Sequence, residues 1–95
     1  IDKDGMLHNE FKLQFLEMIQ NNTDIRTIRK LIADSGFSDY TELFRFLYDE
    51  VENITGDKIP DVIAEISKGA YQDVLVVDKE INFIATVSNI LRKLS

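Results

Sequence analysis

Apolar residues recur along this chain at spacings of three and four, the periodicity of an α-helix with one buried face. Five stretches follow this pattern. Their apolar positions are Leu7, Phe11, Phe15, Met18 and Ile19; Ile25, Ile28, Leu31 and Ile32; Tyr40, Leu43, Phe44, Leu47, Val51 and Ile54; Ile59, Val62, Ile63 and Ile66; and Ile81, Phe83, Ile84, Val87, Ile90, Leu91 and Leu94. The last stripe covers about half of its helix, which favours a central position. The sequence predicts an all-α domain, a compact bundle of about five helices.

Polar and glycine residues predict where the second and third helices begin and end. Thr23 is a favourable cap for the second helix, with Asp24 at its positive end. Gly36 follows the last apolar position of that helix and can adopt the left-handed conformation that ends helices. Asp39 predicts the start of the third helix, and Gly56 predicts its end.

The second half of the chain carries two further boundaries and one ambiguous segment. Pro60 is tolerated in a first helical turn, so the fourth helix is predicted to start near Lys58 or Ile59, and Gly69 is expected at a helix end or in a connector. Residues 74–77 form a valine-rich run that resembles a strand, but no second such run is present to pair with it. We interpret this run as a packed connector, after which Asp78 caps the last helix.

Composition narrows the class of protein. The 95 residues are enough for one domain with one modest core, and 44% of them are hydrophobic. Seventeen acidic and eleven basic residues give a net charge of -6, which disfavours direct contact with nucleic acid. No cysteine is present, which suits a reducing cytoplasm but leaves the redox compartment open. No apolar stretch has the length of a membrane span, so we expect no membrane partner.

The possible metal and phosphate sites lack the residues or the spacing that their motifs require. Asp2, Asp4 and Gly5 begin like a calcium loop, but leucines stand where the required glycine and glutamate should be. His8 is the only histidine and has no cysteine or second histidine with which to share a metal. The four glycines are scattered at predicted helix ends and connectors and form no phosphate-binding loop. We therefore expect no catalytic, cofactor-binding or metal-binding residue.

Charged residues form two local groups that are typical of solvated helix faces. The acidic group comprises Asp49, Glu50, Glu52 and Asp57, and the basic strip comprises Arg26, Arg29 and Lys30. If the basic strip contacts a partner, an acidic protein surface such as the acidic group of a neighbouring copy fits the overall charge better than DNA does.

A surplus of apolar residues is more informative. Phe46 and Tyr48 flank the main stripe of the third helix, and Phe83 and Ile90 widen that of the last helix. Such residues either form a protein interface or meet a second helix of the bundle. We take these four as the interface candidates.

Three stretches together resemble a known family. They are FLEMIQNNTDIRTIRKLIADSGF, the pair Asp39 and Tyr40 followed by Leu47, Glu50 and Val51, and the final KEINFIATVSNIL. Their order and lengths resemble the C-terminal collar domain of small clamp-loader subunits, as in replication factor C, and the T-even-like phage type is the most similar. The short valine-rich link before the last helix departs from the cellular members.

The resemblance implies that residues 1–95 are a collar from the C-terminal part of a longer subunit. Collars pack side by side into a ring, so the implied function is assembly of a sliding-clamp loader in DNA replication, with other loader subunits as partners. ATP, magnesium and the catalytic residues would belong to upstream domains, and the sliding clamp would be reached only through the parent protein. A phage-encoded subunit would act in the host cytoplasm.

Two alternatives remain open at this stage. One is an independent adaptor that binds a peptide or helix in a groove between the third and last helices. The other is a small enzyme, which the missing nucleophile–base pair disfavours.

Overall fold

The computed structural model describes the backbone of residues 3–95 and the side chains of residues 10–95, and within these limits it is all-helical. Six helices follow one another: α1 (Lys3–Gln20), α2 (Ile25–Ser35), α3 (Tyr40–Asp49), α4 (Val51–Ile54), α5 (Ile59–Asp73) and α6 (Lys79–Leu94). The predicted all-α bundle is confirmed. The predicted buried position Leu7, like His8 and the sequence around Asp2, Asp4 and Gly5, lies outside the described side chains.

Most predicted boundaries agree with the structure. Gly36 ends α2 with a φ of 78°, in the left-handed region. The carboxylates of Asp39 and Asp78 accept hydrogen bonds from the first turns of α3 and α6, at 3.3 Å and 3.1 Å. The cap of α2 is an exception, because this helix begins after Asp24 rather than Thr23, and the Asp24 side chain pairs with Arg26 instead of capping.

The third predicted helix is interrupted at Glu50, whose backbone (φ -102°, ψ 14°) leaves the helical range between α3 and α4. Val51 and Ile54 are buried on the far side of this break. The bend keeps their side chains in the core. The apolar periodicity continues across the break, which is why it does not reveal the bend.

The fourth predicted helix is longer than expected, since α5 continues through Gly69 to Asp73. Gly69 is therefore an interior helical residue, and its expected place at a helix end or in a connector is wrong. A Cβ at this position would lie 2.8 Å from Cε1 of Phe44 and even closer to Oγ1 of Thr86. The glycine allows α5 and α6 to approach closely. Asn82 of α6 donates a buried hydrogen bond to the Gly69 carbonyl, at 3.0 Å.

The core is centred on aromatic residues around Phe83. Its ring lies 5.1 Å from that of Phe44, edge to face, 5.6 Å from Tyr40 and 5.9 Å from Phe15. These contacts join α1, α3 and α6, and α6 also packs against α2 and α5. The central position predicted for the last helix is confirmed.

No helix within residues 3–95 is both long enough and apolar enough to span a membrane.

Candidate interaction surface

The connector between α5 and α6 and the adjoining turns of these two helices carry the large exposed apolar residues of the second half of the chain. Five large apolar side chains between residues 71 and 81 are at least 66% exposed: Tyr71, Val74, Leu75, Val77 and Ile81. We call these five residues the connector surface. The connector itself was predicted, but its exposure was not: the expectation that residues 74–77 pack against the core is wrong for Val74, Leu75 and Val77.

Hydrogen bonds tie this connector to the helices on both sides of it. The amides of Leu75 and Val76 both donate to the carbonyl of Gln72, at 2.9 Å and 3.0 Å, and so continue the last turn of α5. At the other end, Asp78 caps α6. The Lys79 ammonium donates to the Asp73 carbonyl and so bridges the connector. The exposed apolar side chains therefore project from an ordered backbone.

A groove of about 500 Å³ lies between α3 and α5. Its wall on α3 includes Thr41, Phe44 and Tyr48, and its wall on α5 includes Ile63 and Ala70. Val74 also lines it, so the groove adjoins the connector surface. The walls of the groove are mainly apolar, with polar groups at a few positions.

Arg45 and Tyr48 form one rim of the groove. The Arg45 guanidinium lies 5.3 Å from the centre of the Tyr48 ring and pairs with Asp49 at 3.0 Å. Tyr48 is 47% exposed. The rim residue is thus an exposed aromatic side chain with a cation on its face.

Asp73 lines the same groove and is 4% exposed. Its Oδ2 lies 3.7 Å from the Lys79 ammonium. Within the part of the chain whose side chains are described, Oδ1 is buried and has no hydrogen-bond partner. A buried carboxylate oxygen without a partner is unusual in a folded protein, because its desolvation is not compensated.

Tyr40 lies near the connector and shares a shallow pocket with Val77, Asp78 and Glu80. Burial raises the pKa of its hydroxyl above the usual value, and the carboxylates of Glu80 and Asp78 raise the pKa further. Tyr40 therefore stays neutral throughout the physiological range.

The four predicted interface residues do not form one surface. Phe83 and Ile90 are 0% exposed, so their selection as interface candidates is wrong; they contact other helices of the bundle instead. Phe46 is half-buried against α1, with its ring 6.3 Å from that of Phe15. Tyr48 alone faces the groove.

The predicted groove between the third and last helices is likewise misplaced. Phe83 fills the junction of α3 and α6, and the groove lies instead between α3 and α5. The basic strip of Arg26, Arg29 and Lys30 is exposed on α2. Among the residues with described side chains, no group of three or more histidine, aspartate or glutamate residues is arranged to hold a metal ion.

Sequence reasoning missed the connector surface, although a signal was present. Residues 74–77 are four consecutive apolar residues between two helices. A short connector at the edge of a bundle cannot turn every side chain inward, so part of such a run must face outward. The chain was compared with protein-family models, curated proteins and solved structures, and none of them matches it significantly.

Proposed function

We propose that this chain is an assembly domain, which packs through its connector surface against a like domain of a neighbouring subunit. The observation that carries this proposal is the exposure of five large apolar side chains between residues 71 and 81. A concentration of apolar side chains in water is typical of a protein interface, and single exposed apolar residues are not. Val77, whose side chain is completely exposed, would gain most from burial.

The ordered backbone of the connector supports the same proposal. Association costs less free energy when the interface already has its bound conformation. The Asp78 cap and the contact of Lys79 with the Asp73 carbonyl supply that order. The connector surface therefore already has, before association, the backbone conformation in which it would bind a partner.

Within this class, we propose a collar of a sliding-clamp loader in DNA replication, following the resemblance of residues 15–37 and 79–91 to that family. The net charge of -6 agrees with a domain that contacts other loader subunits rather than nucleic acid. In this proposal the chain contributes oligomerisation, and ATP hydrolysis belongs to other domains of the parent subunit.

Sedimentation velocity tests the assembly proposal. The wild-type chain and the double variant Leu75→Ser/Val77→Ser would be measured from about 10 to 500 µM, the range in which a small interface associates. We expect the sedimentation coefficient of the wild type to rise with protein concentration. The coefficient of the double variant should keep the value of the monomer at every concentration. Both side chains are exposed, so neither change opens a cavity in the core.

Leu13→Ser is the matched control. Leu13 is 69% exposed on α1, outside the connector surface, and the same change in side-chain chemistry is made there. This variant should associate as the wild type does. A monomeric wild type across the whole range, or equal association of the double variant, would contradict the proposal.

The replication-specific part has a separate test in the gene. A collar follows an ATPase module in its parent subunit, so the coding sequence upstream of Ile1 should encode a phosphate-binding loop. An upstream reading frame without this motif would reject the clamp-loader assignment and would leave the assembly proposal standing.

A further inference from the structure

The groove between α3 and α5 has the dimensions of a helix-binding site. From Thr41 to Tyr48, the α3 wall spans about 10 Å at 1.5 Å per residue, or two helical turns. Tyr40, at the start of α3, shares a pocket with residues that follow the end of α5, and Phe44, one turn later in α3, lies against Gly69, one turn before the end of α5. The two helices therefore run antiparallel along the groove. A third helix laid between them would place residues i, i+3 and i+7 against the groove.

One end of this groove is chemically distinct. With the helices antiparallel, Asp73 and Val74 at the end of α5 belong to the Thr41 end of the groove, and Tyr48 and Ile63 belong to the other end. The unpartnered Oδ1 of Asp73 needs a hydrogen-bond donor, and its Oδ2 has only the Lys79 ammonium at 3.7 Å. A cationic donor is the best match to a carboxylate, because a charged hydrogen bond is the stronger kind.

We propose that this groove docks an amphipathic helix of a partner chain, whose apolar face is followed by a lysine or arginine that hydrogen-bonds to Asp73. The apolar walls select the apolar face, and the buried carboxylate selects the cation. The net charge of -6 favours a basic partner over an acidic one. This site adjoins the connector surface at Val74, but Leu75 and Val77, which carry the self-association proposed above, do not line it.

A designed peptide tests the chemistry directly. The probe is a fluorescein-labelled helix of about 15 residues, built from alanine and glutamine, with leucines at i, i+3 and i+7 and one lysine a turn beyond them. The comparison peptide carries norleucine, which has nearly the same shape and no charge, in place of lysine. Binding is measured by fluorescence anisotropy up to about 1 mM peptide, a range that covers weak single-helix docking.

We expect the lysine peptide to bind the wild-type chain about tenfold more tightly than the norleucine peptide, the ratio that one charged hydrogen bond supplies. In Asp73→Asn this ratio should fall to about one, whatever the absolute affinity, because the amide no longer attracts a cation. The ratio is used because it does not depend on small changes in the groove. Circular dichroism confirms that the variant is folded.

Two variants that add the same bulky side chain to α5 test where the peptide binds. Ala70 is exposed and lines the groove, whereas Ala64 is exposed on α5 outside it. Ala70→Arg should weaken the lysine peptide at least about tenfold through bulk and like charge. Ala64→Arg, which adds the same side chain to the same helix, should leave binding unchanged.

Three results would overturn the proposal. Equal affinity of the two peptides for the wild type would show that Asp73 is not a recognition group, and no binding up to the highest concentration would show that the groove does not dock a helix. Loss of self-association in Ala70→Arg would assign the groove to a second copy. The Leu75→Ser/Val77→Ser chain should retain peptide binding, so failure of the assembly proposal and failure of this one are distinguishable.

Discussion

Gly69→Ala tests the close packing of α5 and α6. Gly69 is an interior helical residue, where alanine is otherwise preferred by about 1 kcal/mol. The added Cβ would meet Cε1 of Phe44 at 2.8 Å, Cγ2 of Thr86 at 3.0 Å and Oγ1 of Thr86 at a shorter distance. Rotation of the Thr86 side chain away from the new Cβ would break the buried hydrogen bond that its Oγ1 donates to the Asn82 carbonyl, at 3.1 Å.

The two effects oppose each other, and the clash is the larger. Overpacking of a core typically costs about 1 to 3 kcal/mol, and three close atoms place this site at the upper end. After the gain in helix propensity, we expect a loss of about 2 kcal/mol in the free energy of unfolding. For a domain of this size, that loss lowers the Tm by roughly 10 °C.

Urea unfolding followed by circular dichroism measures this effect. Gly56→Ala is the matched control, since nothing lies within 4 Å of a Cβ at that position. Thr86→Ala combined with Gly69→Ala should recover part of the loss, giving a coupling of about 1 kcal/mol or more in a double-mutant cycle. A Gly69→Ala chain that is as stable as the wild type, or more stable, would refute the proposed close approach.

Three further predictions address the core and the connector. Phe83→Ala, which empties a fully buried site, should cost about 3 to 5 kcal/mol in urea unfolding, and a loss below about 1 kcal/mol would contradict its central position. The raised pKa of Tyr40 means that the folded state holds this proton more tightly than the unfolded state, so the free energy of unfolding should fall as the pH rises above about 10. In Tyr40→Phe, thermal melts should lack the loss of stability above about pH 10 that is due to Tyr40. If the variant loses as much stability as the wild type, the assignment of this loss to Tyr40 is wrong. Lys79→Met removes both the bridge to the Asp73 carbonyl and the cation beside the buried Asp73 carboxylate, so it should cost at least about 1 kcal/mol in urea unfolding, whereas the exposed control Lys68→Met should be neutral.

Local signals in the sequence predicted the helices well where a cap or a periodic stripe was present. Asp39, Asp78 and Gly36 act through their own side chains or backbone, so a local pattern is sufficient to identify their roles. The break at Glu50 was not predictable in this way, because the apolar positions on both sides of it remain in phase with one helix.

Gly69 shows why some local signals mislead. Glycine is typical of helix ends, but here it is required by two side chains from distant parts of the sequence, Phe44 and Thr86. Only the three-dimensional packing brings these residues together. The same limit applies to Phe83 and Ile90, which helical angle alone placed on a widened face and which the bundle buries on all sides.

The candidate site was predictable only in part. Tyr48 was selected from its position on the flank of a stripe, and it does line the groove. Asp73 carried no sequence signal, since its burial and its unpartnered oxygen depend on the length of α5 and on the position of Lys79. The connector surface was visible as a run of apolar residues, but its outward direction depends on the end of α5.

The most direct test of the central claim, assembly through the connector surface, is a dilution series of ¹⁵N–¹H correlation spectra of the wild-type chain. Between about 20 µM and 1 mM, where weak association becomes populated, we expect the concentration-dependent amide shifts to concentrate on residues 71–81. Spectra that do not change with concentration, or shifts confined to the exposed faces of α1 and α2, would contradict it.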